Sequence, residues 1–292
     1  MLVFDNGFPE YVFLNTTIVK TKDAKISVFD RGFNFGDGVY EGLLIVDGVI
    51  LFEGAHWKRL KNSLDALGIN MSIAHLKKCI TSYLAHQAVA SKNAFLYVQI
   101  SRGVAMRGHG YSDTIQPTIF MYSIPKEIPT VNDNTYNTVL TKDERWHRCD
   151  IKMTSLLGNV MAKNKALKAG CYEVILHRNG MITEGSHCNI FFVKNEVVYT
   201  HPADNYILNG ITRLKTIELC EALGIPYVEK AVEVDTVSTM DAAFLVGTST
   251  QIAQIGKIDE IVFKNSAGTK IINKLQEAYA SLKSDYINES IK

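Results

Sequence analysis

No apolar run in this sequence approaches the roughly 20 residues that a bilayer-spanning helix requires. Net charge is almost absent. The 31 Lys and Arg residues offset 30 Asp and Glu to leave +1, and a pI near 7.6 gives no global field for nucleic acid or a membrane surface. Cysteine is sparse: Cys79, Cys149, Cys171, Cys188 and Cys220 are odd in number, widely spread and without a CxxC pair. That spacing offers neither a disulfide framework nor a zinc motif, so no metal is expected, and it points to reduced thiols and a cytoplasmic location. The N-terminus, MLVFDNGFPEYVFL, has no basic region ahead of an apolar stretch, and no signal peptide is expected. Neither an internal repeat nor a low-complexity tract is found.

What is present is a 292-residue chain, 47% hydrophobic and 21% charged, able to fill one large domain or two smaller ones. Alternating apolar residues predict strands over residues 11–19, 26–29, 95–101, 117–122 and 136–140. Asp47-Gly48, Asn179-Gly180 and Asn195-Glu196 predict three hairpin turns. Helical spacing appears over residues 56–68, 73–89, 156–170, 210–223 and 269–287, with Gly68, Gly170 and Gly224 placed to end three of them. Two of the six prolines fall in residues 124–133 and mark an interdomain linker, which divides the chain into domains 1–123 and 134–292. Hairpins and helices mix in both halves, so the expected class is α+β.

Residues 149–189 carry the most chemistry. Lys152 stands ahead of a helix start, where a positive charge is disfavoured by the helix dipole. Read alone, it is either a surface charge or a nucleophilic amine. Glu184 follows a predicted strand, either as an exposed strand end or as a proton-holding acid. Ile211 and Thr212 open a helix after Gly210, a place where free N–H groups favour an anion. Thr248 follows Gly247 at a strand end and adds an amide and a hydroxyl. Arg59 lies beside a helical apolar stripe, a position usual for a solvated charge. Arg107 and His109 occupy a glycine-rich loop, residues 101–113, that is either flexible and solvated or aimed at a carboxylate. The glycines of residues 30–42 fit neither a dinucleotide fingerprint nor a Walker loop.

These pieces occur in order as DRGFNFGDGVYE, HxxRL, RGxxxRxH, CDIK…LLGNVMAK, GCYEVILHRN…TEGS, THPADNYILNGITR and GTST. The set resembles the fold-type IV pyridoxal-phosphate enzymes over essentially the whole chain, and within them the D-amino acid aminotransferases. The resemblance implies a smaller N-terminal α/β domain and a larger, barrel-like C-terminal domain that binds pyridoxal 5′-phosphate. It implies Lys152 as the Schiff-base lysine and proton carrier, Glu184 on the pyridine nitrogen, and Arg59, Ile211, Thr212 and Thr248 on the phosphate. Tyr40, Arg107 and His109 would bind the substrate α-carboxylate, with the RxH loop coming from the neighbouring subunit of a homodimer whose active site lies at the subunit and domain interface. The implied reaction is D-alanine plus 2-oxoglutarate to pyruvate plus D-glutamate. One departure stands out: His187, in Gly185-Ser186-His187-Cys188, falls where those enzymes carry small serines, so the substrate side-chain range does not carry over. Branched-chain L-aminotransferase, aminodeoxychorismate lyase and a catalytically silent cofactor-binding homologue are the alternatives.

Overall fold

The computed structural model describes residues 7–86 and 91–291 and divides into two compact units. The first comprises residues 1–128, 151–156 and 289–292, and the second comprises 129–150 and 157–288. The short segment around Lys152 therefore groups with the first unit.

In the first unit, β1 (Tyr11–Leu14), β2 (Thr17–Lys20), β3 (Gly38–Val46), β4 (Val49–Ile50), β5 (Ala94–Ser101) and β6 (Thr118–Pro125) form one sheet in the order β2-β1-β6-β5-β3-β4. Every pair is antiparallel. The β3–β4 turn has φ of +50° at Asp47 and +83° at Gly48, the paired positive values that an Asp-Gly hairpin adopts. One sheet face carries Val39, Leu43, Leu96, Val98, Ile100 and Met121 into a core closed by α2 (Glu53–Leu67) and α3 (Ile73–Leu84). On α2, Trp57, Leu60 and Leu64 are buried there, each such side chain stabilising the unit by about 1.5–3 kcal/mol. The stretch predicted to run helical to residue 89 is helical to Leu84; residues 87–90 lie outside those described.

Two local expectations change. Residues 26–29 form no strand: Ile26, Val28 and Phe29 face outward, and the Ser27 hydroxyl and carbonyl take the amides of Phe29 and Asp30 in a turn. Residues 11–19 contain a tight turn at Asn15, with φ +57°, that splits the predicted strand into β1 and β2. A short helix α1 (Arg31–Phe35), capped by Asp30 and ended by Gly36 at φ +66°, occupies the glycine-rich stretch.

The second unit is built on β7 (Thr135–Lys142), β8 (Glu173–Arg178), β9 (Met181–Gly185), β10 (Asn189–Lys194), β11 (Val197–Thr200), β12 (Tyr227–Glu229), β13 (Ala242–Gly247), β14 (Gln251–Ile258) and β15 (Ile261–Val262). The order is β12-β11-β10-β13-β14-β7-β8-β9, with β15 beside β14. β9 ends that order and β10 is third from its other end, yet only Ser186–Cys188 separates them in sequence. The sheet must therefore curl on itself, giving a half-barrel. Its pairings mix parallel and antiparallel. α4 (Leu157–Lys168) and α5 (Ile211–Ala222) belong to this unit, as does α6 (Ser266–Ile291) up to Asn288.

α4 departs from the pattern its sequence displays. Leu157, Val160, Met161 and Leu167 recur at helical spacing but are exposed, Leu157 by 72%. The opposite, small-residue side, with Ala162 and Ala166, packs against Val139, Val174 and Leu176. Alanine permits a closer approach to the sheet than leucine, which leaves the large side chains outside. Among the described residues, no helix is long and apolar enough to cross a membrane.

Candidate active site

In the first unit the site residues gather around β3 and α2. His56, Arg59 and Ser63 lie on one flank of α2 because they are three and four residues apart. Arg59 donates to Glu41 through Nε (2.8 Å) and Nη2 (2.7 Å), and His56 Nδ1 stands 2.8 Å from Glu41 Oε2. Burial pushes the Glu41 carboxyl upward, but Arg59 and His56 outweigh it and hold it at about 2. Burial likewise keeps His56 below its ordinary value. Nη1 of Arg59 has no protein partner among the described residues, leaving that edge for an anion.

Lys152 is fastened to the same place by its backbone. Its N–H donates to Ser63 Oγ (3.1 Å), and its carbonyl accepts from the Tyr40 amide (3.1 Å). Thr154 and Ser155 tie the segment to Gly36 through their hydroxyls, at 2.7 and 2.9 Å. Nζ of Lys152 is held 4.2 Å from the centre of the Tyr40 ring, which in turn stacks on Tyr97 at 5.6 Å. Lys152 is only partly exposed, and the face of the Tyr40 ring fixes where its side-chain nitrogen lies.

Arg107 and His109 are exposed, and both meet Phe35 of α1. The guanidinium lies 5.1 Å from that ring's centre and the imidazole 6.0 Å. Arg31 holds the intervening backbone through the carbonyls of Gly108 (2.7 Å) and His109 (3.4 Å). Asp37 receives both Arg31 and Arg102. The glycine-rich loop is therefore anchored at its base, with the Arg107 and His109 side chains left outward.

In the second unit Glu184, buried at the end of β9, accepts three bonds. Arg145 Nη1 donates to Oε1 (2.7 Å), while Asn189 Nδ2 (3.0 Å) and the Leu208 amide (3.1 Å) donate to Oε2. Arg145 is itself paired with Asp143, which also takes Arg178. Burial pushes the Glu184 carboxyl up to about 7, against the opposing pull of Arg145. Asn189 also donates to Leu208 O (2.8 Å) and packs on Gly210, where any added Cβ would collide with its side-chain oxygen. The acid and the start of α5 are thus built as one piece.

That start has the form expected of an anion cradle. Gly210 is the N-cap, no side chain among the described residues caps the helix, and Ile211 and Thr212 are buried in its first turn. Thr248 stands in the turn between β13 and β14, half-buried and without a side-chain bond among the described residues. Arg145, Glu41, His56 and Asn189 were not singled out from sequence. Glu41 and His56 had a local signal, since one closes the DRGFNFGDGVYE motif and the other opens HxxRL.

His187 turns toward Glu173: its Nδ1 meets Glu173 Oε2, and its ring packs edge-on against Tyr172 at 6.0 Å. Glu173 is fully buried, and although burial raises its carboxyl, His187, Ser186 and the Val174 amide hold it at about 2.

The first unit thus carries an aromatic-flanked lysine and a buried arginine–glutamate pair, and the second a buried acid and a helix start with no side-chain cap among the described residues. Residues 38–258 match the family model for amino-transferase class IV, and the chain belongs to that family. It is 35% identical over 284 residues to D-alanine aminotransferase of Bacillus licheniformis, covering 96% of this chain and 99% of that one. It superposes with a TM-score of 0.82 on the branched-chain aminotransferase of Thermoproteus uzoniensis solved with norvaline, at 25% identity and covering 95% and 97% of the two chains. With the branched-chain amino acid aminotransferase of Escherichia coli the TM-score is 0.86 at 23% identity, covering 94% and 95%. The protein is an α+β aminotransferase of fold type IV. Class IV aminotransferases depend on pyridoxal 5′-phosphate, and each unit carries groups that would suit it: in the first, the free edge of Arg59 would suit an anion; in the second, the start of α5 would suit an anion and the buried Glu184 carboxylate a ring nitrogen.

Proposed function

We propose that the protein transaminates D-amino acids, D-alanine plus 2-oxoglutarate giving pyruvate plus D-glutamate. The observation that carries this reading is the anchored loop that presents Arg107 and His109 on either side of residue 108. A bidentate guanidinium with an adjacent imidazole suits a carboxylate. The hand of the substrate follows from which wall of the site takes that carboxylate. The identity to the D-alanine aminotransferase of Bacillus licheniformis, over nearly both whole chains, supports the same assignment.

When bound, pyridoxal phosphate supplies the aldehyde that receives the amino group and the electron sink that makes the substrate Cα acidic. Lys152 Nζ takes the Cα proton as general base and returns a proton as general acid. Glu184 would accept a hydrogen bond from the ring nitrogen and so favour its protonated form. Arg59, the amides of Ile211 and Thr212 and the Thr248 hydroxyl and amide would hold the phosphate. Tyr40 keeps the Lys152 amine in place and contributes its hydroxyl to the substrate carboxylate beside Arg107 and His109.

The active form in this reading is a homodimer that places the glycine-rich loop of one chain at the site of its partner. Met106, beside Arg107, is 80% exposed, and Phe33 of α1 is exposed close by in sequence to Phe35, an apolar arrangement suited to burial against a second copy. Five unpaired cysteines support a cytoplasmic setting. The test is a half-reaction: holoenzyme is mixed with D-alanine and L-leucine in turn, and the visible cofactor absorption is followed. Bleaching by D-alanine is expected; bleaching by L-leucine alone would replace this reading with the branched-chain one.

A further inference from the structure

Three consecutive side chains of the turn after Glu184 converge on one carboxylate. Ser186 Oγ donates to Glu173 Oε1 at 2.6 Å, His187 Nδ1 lies against Oε2, and Cys188 Sγ donates to Oε2 at 3.5 Å. The path of the turn enforces this. The Gly185 amide donates to Cys188 O at 2.7 Å, and a Cβ on Gly185 would stand 2.9 Å from Cys188 Sγ and 3.1 Å from Glu173 Cγ. The two carboxylate oxygens are employed differently. Oε1 is taken by Ser186 and by the Val174 amide (2.8 Å), whereas among the described residues Oε2 meets only His187 and Cys188.

One oxygen, one nitrogen and one sulfur, all within 4.8 Å of one another, therefore face a common point. Zn²⁺ binds these three donor types at about 2.0–2.3 Å, which sets neighbouring ligand atoms roughly 3–4 Å apart around one ion. Glu173 and Cys188 are buried, and the His187 side chain, 45% exposed, gives the route from solvent. None of the three has a role in the transamination reading, and His187 otherwise has no account at its position.

We propose that Glu173 Oε2, His187 Nδ1 and Cys188 Sγ form a site for one borderline-soft divalent cation of the Zn²⁺ type, with water completing a tetrahedron. On binding, the Cys188 thiol proton is released to solvent and the ion takes the place of the direct contacts His187 and Cys188 make with Oε2. Ser186 and Val174 continue to hold Oε1, so the carboxylate stays oriented. The thiolate and imidazole donors select against Mg²⁺ and Ca²⁺, which prefer all-oxygen shells.

The test is calorimetric titration of the holoenzyme, freed of excess cofactor, with Zn²⁺ and separately with Mg²⁺, and absorption spectroscopy with Cd²⁺ to detect a thiolate-to-metal band. One Zn²⁺ per chain, no Mg²⁺ and a Cd²⁺ band are expected. Cys188→Ser abolishes the band, and both Cys188→Ser and His187→Ala weaken Zn²⁺ by at least about tenfold. Cys171→Ser removes the one thiol that is not buried and leaves binding unchanged. Absence of stoichiometric Zn²⁺, equal affinity in His187→Ala, or loss of binding in Cys171→Ser overturns the site. His187 is half-exposed, so that variant decides the matter even where Cys188→Ser fails to fold.

Discussion

Arg59 grips the fully buried carboxylate of Glu41 with two of its nitrogens, at 2.8 and 2.7 Å, and so holds its third nitrogen in a fixed direction. The pair makes the arginine rigid before any anion arrives. Glu41→Gln leaves the largely buried guanidinium without its counter-charge. Loss of about 3–5 kcal/mol of unfolding free energy is expected at neutral pH, measured by denaturant titration. Stability within about 1 kcal/mol of the wild type would show that the pair does not hold the first unit together.

The same carboxylate sets an acid limit. Its folded value of about 2 lies below the ordinary 4.5, so its stabilisation is present above pH 4.5 and is lost as pH falls toward 2. The contribution is about 3 kcal/mol. Between those limits the unfolding free energy of Glu41→Gln should fall less steeply with acid than that of the wild type.

Glu184 works in the opposite sense. Its folded value, about 7, lies above 4.5, so the cofactor-free protein binds this proton more tightly than the unfolded chain does. That stabilisation is complete below pH 4.5 and is lost as pH rises through 7, amounting to about 3 kcal/mol at most. Denaturation of cofactor-free wild type and Glu184→Gln at pH 5 and pH 8 should show the extra loss only in the wild type. Equal losses in the two proteins would place the carboxyl in its ordinary range.

Lys152→Ala is expected to lower transamination by at least about 10²–10⁴-fold, since the proton carrier is gone. The assay is single turnover with added cofactor. Activity near the wild-type level would remove Lys152 from the chemistry.

Arg107→Ala should raise KM for D-alanine by about 10–100-fold, the effect of a charged hydrogen-bonded pair of about 1.5–3 kcal/mol, with a smaller change in kcat. The side chain is exposed, so thermal stability should hardly move. An unaltered KM would leave the carboxylate with other partners.

Much of this was legible from residue types. The Asp47-Gly48, Asn179-Gly180 and Asn195-Glu196 turns all adopt positive φ at both positions, which Asp, Asn and Gly accept readily and which Glu196 takes as the second residue of its turn. α5 starts after Gly210 as expected. The pairings that tune the site were not legible, since Arg145 meets Glu184 across 39 residues and Arg59 meets Glu41 across 18. Such contacts depend on sheet order. Residues 26–29 and the α4 stripe failed for a related reason: periodicity reports that a segment has an apolar side, and says nothing of whether that side meets the core or remains open.

The three-residue link between β9 and β10 has a consequence for how this chain can vary. It closes the curl of the sheet, and it begins two residues after Glu184, which accepts from Arg145, Asn189 and Leu208. A single inserted residue would slip Asn189 away from Glu184, with the start of α5 following it. The Asn195-Glu196 hairpin tip has no such coupling to Glu184. Length can change at that tip, whereas between Glu184 and Asn189 the chain has no slack.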